Sequence, residues 1–242
     1  MLRIAVDLDG TLADMDAALQ AEAERLFGAD VDLRGSLRAR PENTPGVETP
    51  DPTASSPGMR PAVPPPDPAR VRLSDRQHRQ LWTRVREIEN FWESLAEIEP
   101  GAVARLAHAA ASSRWDVLFI TTRPPSAGDT TQIQSQRWLE AHGFERPSVF
   151  VVTGSRGHVA SALTLDAVLD DRPENCLDVA TDSNAIPILV WRDTPDAVPG
   201  GAARLGITVV FSIAEALQRL ESAPGAPRKH GLVSRIRSTL GV

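Results

Sequence analysis

Short apolar runs alternate with helical periodicities along most of the chain. The first run, residues 2–7, is followed by the turn residues Asp9 and Gly10, and it predicts a buried strand that leads into a loop. Residues 12–27 then carry apolar side chains at helical spacing. This spacing predicts a helix with one buried face, formed by Met15, Leu19, Ala23 and Leu26.

Two further helices are predicted in the middle of the chain. The first begins after Ser74, which forms a capping-box pattern with Gln77. Its apolar positions recur at helical spacing through Leu81, Val85, Ile88 and Trp92. The Pro100-Gly101 pair separates it from another predicted helix, whose inward-facing residues are Val103, Leu106, Ala107 and Ala110.

Strands and helices alternate in the second half of the chain. Apolar runs predict buried strands at 117–121, 149–152, 167–170, 186–191 and 207–211. Helical patterns occur at 129–142, 157–163, 173–182 and 213–221. This alternation predicts an α/β fold in three layers, with a parallel sheet covered by helices on both faces. Ligands bind outside the carboxyl ends of such strands, so polar residues at those ends are candidates for function.

Prolines are concentrated in one segment. Ten of the 20 prolines lie between positions 41 and 68. Because this segment has few large apolar side chains to offset its ordering entropy, residues 38–72 are predicted to form a disordered linker or a long loop. The basic stretch 224–242 is either a solvated tail or a segment that contacts an anionic surface or a partner.

Composition narrows the class of protein. The 242 residues are 41% hydrophobic, which is enough for a sizeable core, and no stretch approaches the length of a membrane span. A net charge of -6 argues against a nucleic-acid-binding surface. The single cysteine, Cys176, cannot form an internal disulfide, which fits a reducing compartment. We therefore expect a cytoplasmic enzyme or binding protein, and the sequence does not indicate its oligomeric state.

Three predicted strands end in reactive side chains. Their ends carry Asp7, Leu8, Asp9, Gly10 and Thr11 in the first strand and loop, Thr121 and Thr122 in the second, and Asp170 and Asp171 in a later one. Phosphoryl transfer needs a divalent cation and several donors around the transferred group. Carboxylates are suitable ligands for Mg²⁺, so Asp7, Asp170 and Asp171 are candidate metal ligands.

The first loop also contains the groups needed for covalent catalysis. The Asp7 carboxylate can attack phosphorus and split hydrolysis into the formation and breakdown of an acyl phosphate. Asp9 can protonate the leaving oxygen and then deprotonate the attacking water. Gly10 permits close approach of the backbone, and the N–H groups of residues 8–11 and the Thr121 hydroxyl can donate to the phosphate.

These residues resemble motifs of the haloacid dehalogenase superfamily. Residues 7–12 resemble its first motif, 119–121 its second and 168–171 its fourth. The resemblance implies a Rossmann-like core and a Mg²⁺-dependent phosphohydrolase in which Asp7 is the nucleophile. It implies metal binding by Asp7, Asp170 and Asp171 together with the backbone carbonyl of Asp9. In this superfamily an acid at the position of Asp9 is typical of phosphatases and phosphomutases.

The third motif departs from the family pattern, which usually has a lysine there. Lys229, near the C-terminus, is the only lysine in the chain. Arg156, within residues 154–157, is the candidate for the phosphate-binding cation. Arginine preserves the charge but not the point-like geometry of an ammonium group.

A narrower similarity, over about residues 91–172, is to the 5′(3′)-deoxyribonucleotidase family. It is carried by the segments 91–95, 99–103 and 136–139. The similarity implies nucleoside monophosphates as substrates and a helical cap that follows the first motif. The domains are then a core of 1–12 and 96–223, a cap of 13–95 that contains the proline-rich linker, and the tail of 224–242.

Several alternatives stay open. Phe91 and Trp92 either stack on a nucleobase or pack in the core. The substrate is a small phosphate monoester in the preferred interpretation, but a phosphatase for sugar phosphates or nucleic-acid ends would use the same scaffold. A regulatory protein that binds phosphate without turnover is a further alternative.

Overall fold

A parallel six-stranded sheet forms the centre of the computed structural model, which describes residues 1–33 and 71–222. The strands are β1 (Arg3–Asp7), β4 (Asp116–Thr121), β5 (Ser148–Val151), β6 (Ala167–Asp170), β7 (Ile186–Val190) and β8 (Thr208–Val210). Their order across the sheet is β5-β4-β1-β6-β7-β8. A second, two-stranded parallel sheet pairs β2 (Val31–Asp32) with β3 (Val71–Arg72).

Helices cover both faces of the main sheet. The described helices are α1 (Met15–Phe27), α2 (Asp75–Glu87), α3 (Ala102–Ser113), α4 (Thr131–Ala141), α5 (Arg156–Ala162), α6 (Pro173–Asp182) and α7 (Ile213–Ser222), of which α3 to α7 pack on the sheet. Successive β1 side chains point to opposite faces. Ile4 and Val6 therefore join the apolar cluster beneath α3, α4 and α7, whereas Ala5 joins the cluster beneath α5 and α6. The predicted three-layer arrangement is confirmed.

Local sequence signals explain where several helices begin. The Ser74 side chain accepts a hydrogen bond from the Gln77 N–H, and the Gln77 side chain accepts one from the Ser74 N–H, which completes the predicted capping box. At α7, Ser212 accepts from the Glu215 N–H, but the Glu215 carboxylate accepts from Phe211 instead. In the described part of the chain, no helix is long and apolar enough to cross a membrane.

The segment between β1 and α3 contains the helices α1 and α2, which pack against each other. Leu19 and Ala23 are buried at this contact, as predicted, but Leu26 is 42% exposed because it lies beside the contact. The Glu22 carboxylate, also buried, lies 3.7 Å from the Arg84 guanidinium of α2. Both helices fall within residues 13–95, and the role of this insertion as a cap stays a prediction.

Two predictions for this insertion are wrong in detail. The second helix was expected to continue to Trp92, but α2 ends at Glu87 because Ile88 is extended and Asn90 is left-handed, with φ of 51°. Trp92 lies instead in a 3-10 turn, Phe91–Glu93. The linker was predicted to reach residue 72, but Val71–Arg72 pair with β2, and the remainder of residues 38–72 lies outside the described residues, as does 224–242.

Candidate active site

Strand order brings the predicted site residues to one edge of the sheet. Strand β1 lies between β4 and β6, with Asp7 beside Ile120 and Val6 beside Leu169 in the register. Because all three strands are parallel, their carboxyl ends meet at this edge. Asp7, Thr121 and Asp170 are therefore neighbours, although up to 163 residues separate them along the chain.

Three carboxylates form the centre of the site. Asp7, Asp170 and Asp171 each place one carboxylate oxygen within 4.8 Å of the others. Asp7 and Asp170 are buried, and Asp171 Oδ1 has no hydrogen-bond partner within the part of the chain that the structure describes. Three close acids around an unpaired buried oxygen are a suitable donor set for a hard divalent cation.

The electrostatics of the cluster fit the same conclusion. Burial raises the pKa of Asp7 well above its ordinary value, the Asp170 charge raises it further, and the Arg156 guanidinium opposes both. Burial and the neighbouring Asp170 charge raise the pKa of Asp171 to about 8. Since these acids resist ionisation together, a bound divalent cation would supply the counter-charge that the cluster needs.

Arg156 is the arginine that contacts Asp7. It is the first residue of α5 and only 5% exposed, and its Nη2 donates to Asp7 Oδ1 and to the Thr122 hydroxyl, each at 3.0 Å. Its Nε lies 3.6 Å from Asp170 Oδ2. The predicted arginine thus lies against the predicted nucleophile, with its guanidinium bridging β1, β4 and β6.

Asn175 is a site residue that the sequence analysis missed. Its side-chain amide donates to both oxygens of Asp170, at 3.0 and 2.9 Å, and the Arg172 N–H donates to Asp170 Oδ1. The only signal was its place in the first turn of the helix after the paired acids. These bonds fix the orientation of the Asp170 carboxylate.

The loop after β1 is held by its own backbone. The Leu8 carbonyl accepts from the N–H groups of Leu12 and Ala13, and the Gly10 N–H donates to the Ala13 carbonyl at 3.0 Å. The Gly10 N–H is therefore already paired in this conformation, and its donation to a phosphate, which would require this bond to open, stays a prediction. Within residues 1–33 and 71–222, the N–H groups of Asp9 and Thr11 have no protein acceptor and remain available.

Gly10 makes room for a carboxylate. Its φ is +85°, and a Cβ at this position would lie 2.2 Å from Asp171 Oδ2. Glycine is therefore required both by the backbone conformation and by the close approach of the metal-ligand candidate.

Asp9 pairs with Arg123, which lies two residues after the end of β4. Arg123 is only 3% exposed, so this ion pair joins Asp9 to a buried guanidinium. Its Nη2 donates to Asp9 Oδ1 at 2.7 Å, and its Nε donates to Oδ2 at 2.9 Å. The Asp9 carboxylate thus lies outside the three-acid cluster, and metal binding by its backbone carbonyl stays a prediction.

Three threonines lie near the site: Thr121 and Thr122 are hydrogen-bonded to protein groups, and Thr11 is buried. Thr121 donates its hydroxyl to Asp9 Oδ2 at 3.3 Å, and Thr122 accepts from Arg156. Thr11 is fully buried, and its hydroxyl lacks a partner among the described residues. Donation by Thr121 to a phosphate would require it to leave Asp9.

Phe91 and Trp92 pack in the core. Phe91 is 3% exposed and Trp92 is fully buried, and their rings make an edge contact with centroids 5.0 Å apart. The Trp92 indole N–H donates to the Pro124 carbonyl. In this conformation neither ring has a free face for a nucleobase, which favours the packing alternative.

A second missed residue supports the loop from the other side. Arg192 follows β7, and its guanidinium donates to the backbone carbonyls of Gly10 and Thr11. The same group pairs with Glu99, whose carboxylate also accepts from the Ile213 N–H. No sequence motif indicated this contact, because it joins residues about 180 positions apart.

Sequence comparisons identify no relative of this chain. No protein-family model matches it, and no curated protein matches it significantly. Among solved structures, it is similar to a Thermotoga maritima protein provisionally named beta-phosphoglucomutase, with 18% identity and a TM-score of 0.54. That match covers 91% of this chain and 99% of the other.

Two hydrolase structures were also found. One, from Pseudomonas syringae, is 15% identical, has a TM-score of 0.46, and covers 91% of this chain and 98% of its own. The other, from Streptococcus pneumoniae TIGR4, is 16% identical and has a TM-score of 0.39. That match covers 90% of this chain and 97% of the other. At these identities only the fold can be compared, and the likeness to the Thermotoga protein confirms the predicted fold class, a Rossmann-like α/β fold with a parallel sheet.

Proposed function

We propose that this chain is a phosphatase of the haloacid dehalogenase superfamily, a Mg²⁺-dependent phosphomonoester hydrolase that forms an aspartyl phosphate on Asp7. One observation carries the proposal: Asp7 lies between a buried arginine and two further carboxylates at the end of the central strand. The arginine supplies positive charge for a phosphate, and the acids supply ligands for a cation. Motif resemblance in the sequence supports the same assignment.

In the first step, an Asp7 carboxylate oxygen attacks the phosphorus of the substrate. The bond between phosphorus and the leaving oxygen breaks, and Asp9 transfers a proton to that oxygen, which leaves as an alcohol. The Arg156 guanidinium stabilises negative charge on the transferred group. The N–H groups of Asp9 and Thr11, which have no acceptor among the described residues, can donate to the same group.

In the second step, water attacks the phosphorus of the aspartyl phosphate. Asp9 takes a proton from this water, the bond between phosphorus and the Asp7 oxygen breaks, and inorganic phosphate leaves. Asp9 has then regained the proton that it donated, and Asp7 is again a carboxylate. Bound by Asp7, Asp170 and Asp171, Mg²⁺ would neutralise charge on the reacting phosphate.

Nucleoside monophosphates are the proposed substrates, supported by the sequence similarity over residues 91–172. A sugar phosphate is the second candidate, because the Thermotoga protein of similar fold is provisionally named beta-phosphoglucomutase. The two candidates differ in the leaving group but share both chemical steps. The rates of phosphate release from the two classes of substrate therefore distinguish the candidates, whereas the mechanism does not.

The test is phosphate release from a panel of nucleoside monophosphates and sugar phosphates, with Mg²⁺ or with EDTA. We expect turnover only with Mg²⁺, and Asp7→Asn should lower kcat by at least about 10³-fold, because the amide is a poor nucleophile. Asp196→Asn is the matched control, since Asp196 is exposed and, among the described residues, no hydrogen bond or ion pair joins its carboxylate to the site. It should retain the parent rate.

Three results separate the alternatives. Nucleoside monophosphates well ahead of sugar phosphates support the nucleotidase, and the reverse order supports the second candidate. Phosphate binding without turnover across the panel supports a regulatory protein. An Asp7→Asn variant as fast as the parent contradicts covalent catalysis by Asp7.

A further inference from the structure

We infer that Arg123 is a positioning residue, which holds the Asp9 carboxylate in the orientation needed for proton transfer. This inference rests on the proposed function and adds to it a residue that the superfamily motifs quoted above do not include. It is carried by the contacts of a buried guanidinium with a carboxylate 114 positions away in the chain. Within residues 1–33 and 71–222, no hydrogen bond or ion pair joins Arg123 to the three-acid cluster.

The guanidinium holds both oxygens of Asp9. Arg123 Nη2 donates to Oδ1 at 2.7 Å, while Nε lies 3.0 Å from Oδ1 and 2.9 Å from Oδ2. Such a two-oxygen contact fixes the rotation of the carboxylate plane, which a single hydrogen bond would leave free. The Thr121 hydroxyl adds a bond to Oδ2 at 3.3 Å.

Arg123 is in turn held from three sides. Its Nη1 donates to the Ser135 hydroxyl of α4 at 2.9 Å. The Cζ atom of its guanidinium lies 5.0 Å from the centroid of the Trp92 ring and 6.0 Å from that of the Trp138 ring. The Arg123 side chain is fully buried, so its position is set by packing and by directed bonds together.

The loop that carries Arg123 is also fixed to the end of α2. The Trp92 indole N–H donates to the Pro124 carbonyl at 2.9 Å. Further along the loop, Ala127 donates its N–H to the Arg86 carbonyl and accepts from the Asn90 N–H, each at 2.8 Å. The insertion therefore supports the residue that orients Asp9, although Trp92 has no exposed surface of its own.

A test must separate positioning from simple stabilisation of the fold. With p-nitrophenyl phosphate and Mg²⁺, the leaving group departs as p-nitrophenolate and needs no proton from Asp9. Formation of the Asp7 phosphate is then independent of the Asp9 orientation, whereas its hydrolysis still requires a proton transfer from water to Asp9. With this substrate, loss of a residue that positions Asp9 therefore slows hydrolysis of the Asp7 phosphate and leaves its formation unchanged.

The experiment is a stopped-flow measurement of p-nitrophenolate with the parent, Arg123→Gln and the control Arg137→Gln. We expect Arg123→Gln to lower the steady-state rate on the order of 10²-fold while a first-turnover burst of nearly one product per site remains. Arg137, half exposed and paired with Asp129 and Glu93 at the surface, should be replaceable without effect. Equal loss of the burst and the steady rate, or no change in either, overturns the inference.

Ser135→Ala provides a milder variant in case Arg123→Gln does not fold. It removes the Nη1 contact and one oxygen atom but leaves the charge of Arg123 in place. We expect a three- to tenfold slower steady-state rate with the burst retained, in line with the net contribution of one ordinary hydrogen bond. In the folded Ser135→Ala protein, an unchanged rate would contradict the inference.

The same data distinguish failure of this inference from failure of the proposed function. A parent enzyme that releases no p-nitrophenolate, or an Asp7→Asn variant that still does, rejects covalent catalysis by Asp7. If the parent turns over normally but Arg123→Gln does not combine a retained burst with a slower steady-state rate, only the role of Arg123 is rejected.

Discussion

At the scale of single residues, the site depends on side chains and backbone that approach one another very closely. Gly10 lies against the Asp171 carboxylate, and Asp171 is one of the three acids that can hold a cation. The φ of +85° at Gly10 also excludes most other residues. A substitution at Gly10 should therefore act on cation binding as well as on the backbone.

We predict that Gly10→Ala loses most of its response to Mg²⁺. The added Cβ would lie 2.2 Å from Asp171 Oδ2, so the Asp171 carboxylate must shift from the position in which it lies close to Asp7 and Asp170. Thermal melting with and without Mg²⁺ measures this, and the rise in Tm on adding Mg²⁺ should be much smaller than in the parent.

Two other glycines are controls for this prediction. Gly154→Ala meets no atom within 4 Å at a position without a positive φ, so it should leave both Tm and the Mg²⁺ response unchanged. Gly28→Ala also meets no atom but has φ of +96°, so it should lower Tm while keeping the Mg²⁺ response. A normal Mg²⁺ response in Gly10→Ala would contradict the proposed packing of Asp171.

At the scale of elements, helix ends determine where the inserted segment begins and stops. The capping box at Ser74 starts α2, and the extended Ile88 ends it. Because the chain leaves the helix there, Trp92 is directed into the core beside Arg123 instead of continuing the apolar face of α2. Packing in the core thus outweighs a helical periodicity that would have continued for another turn.

Ser74→Ala should destabilise the insertion without changing the chemistry. Loss of an N-cap of this kind costs about 1 kcal/mol, since the Gln77 N–H loses its acceptor. We expect Tm to fall by a few degrees and kcat to stay within about twofold of the parent, because no recorded contact of Ser74 involves the site. Ser112→Ala, at an exposed position within α3, is the control; a large loss of kcat in folded Ser74→Ala would contradict this separation.

At the scale of the whole molecule, the fold brings three carboxylates together at one edge of the sheet, and the neighbouring protein groups do not fully neutralise their negative charge. Burial raises the pKa of Asp7, Asp170 and Asp171, and that of Asp171 reaches about 8. In the unfolded chain an Asp has a pKa of about 3.9. At pH values between about 4 and 8, the native state without a cation therefore keeps protons on these carboxyl groups that the unfolded chain has already released.

The cation-free protein should therefore become less stable as pH rises. This stabilisation is complete below about pH 4 and is lost as pH rises towards about 8, because unfolding then releases the protons that the native carboxyls hold. Bound Mg²⁺ requires ionised ligands, so it should raise Tm more at pH 8 than at pH 5. Melting curves in EDTA and in Mg²⁺ across this range measure both effects.

Asp171→Asn is the informative variant for this pH dependence. It removes the group whose pKa is raised to about 8, so the Tm in EDTA should depend less on pH than in the parent. A Tm in EDTA that rises between pH 5 and pH 8 in the parent would contradict the charge balance described here.

Much of the fold and part of the site could be predicted from the sequence. The strand Ala167–Asp170 and the helix Pro173–Asp182 were predicted with correct bounds, because their apolar runs and turn residues are local signals. Asp7, Asp170, Asp171 and Arg156 were predicted as candidates and are neighbours in the structure. The end of α2, the burial of Arg123 and the roles of Asn175 and Arg192 could not be predicted, since each depends on distant packing.

The sequence by itself determined the alternation of strands and helices and the chemical groups at the strand ends, because periodicity and turn chemistry act over a few residues. Only the tertiary structure decided the partners of those groups. Asp7 meets Arg156 across 149 positions, and Asp9 meets Arg123 across 114. Contacts over such distances depend on the order of strands in the sheet and on side-chain packing, neither of which is encoded in any short stretch of the chain.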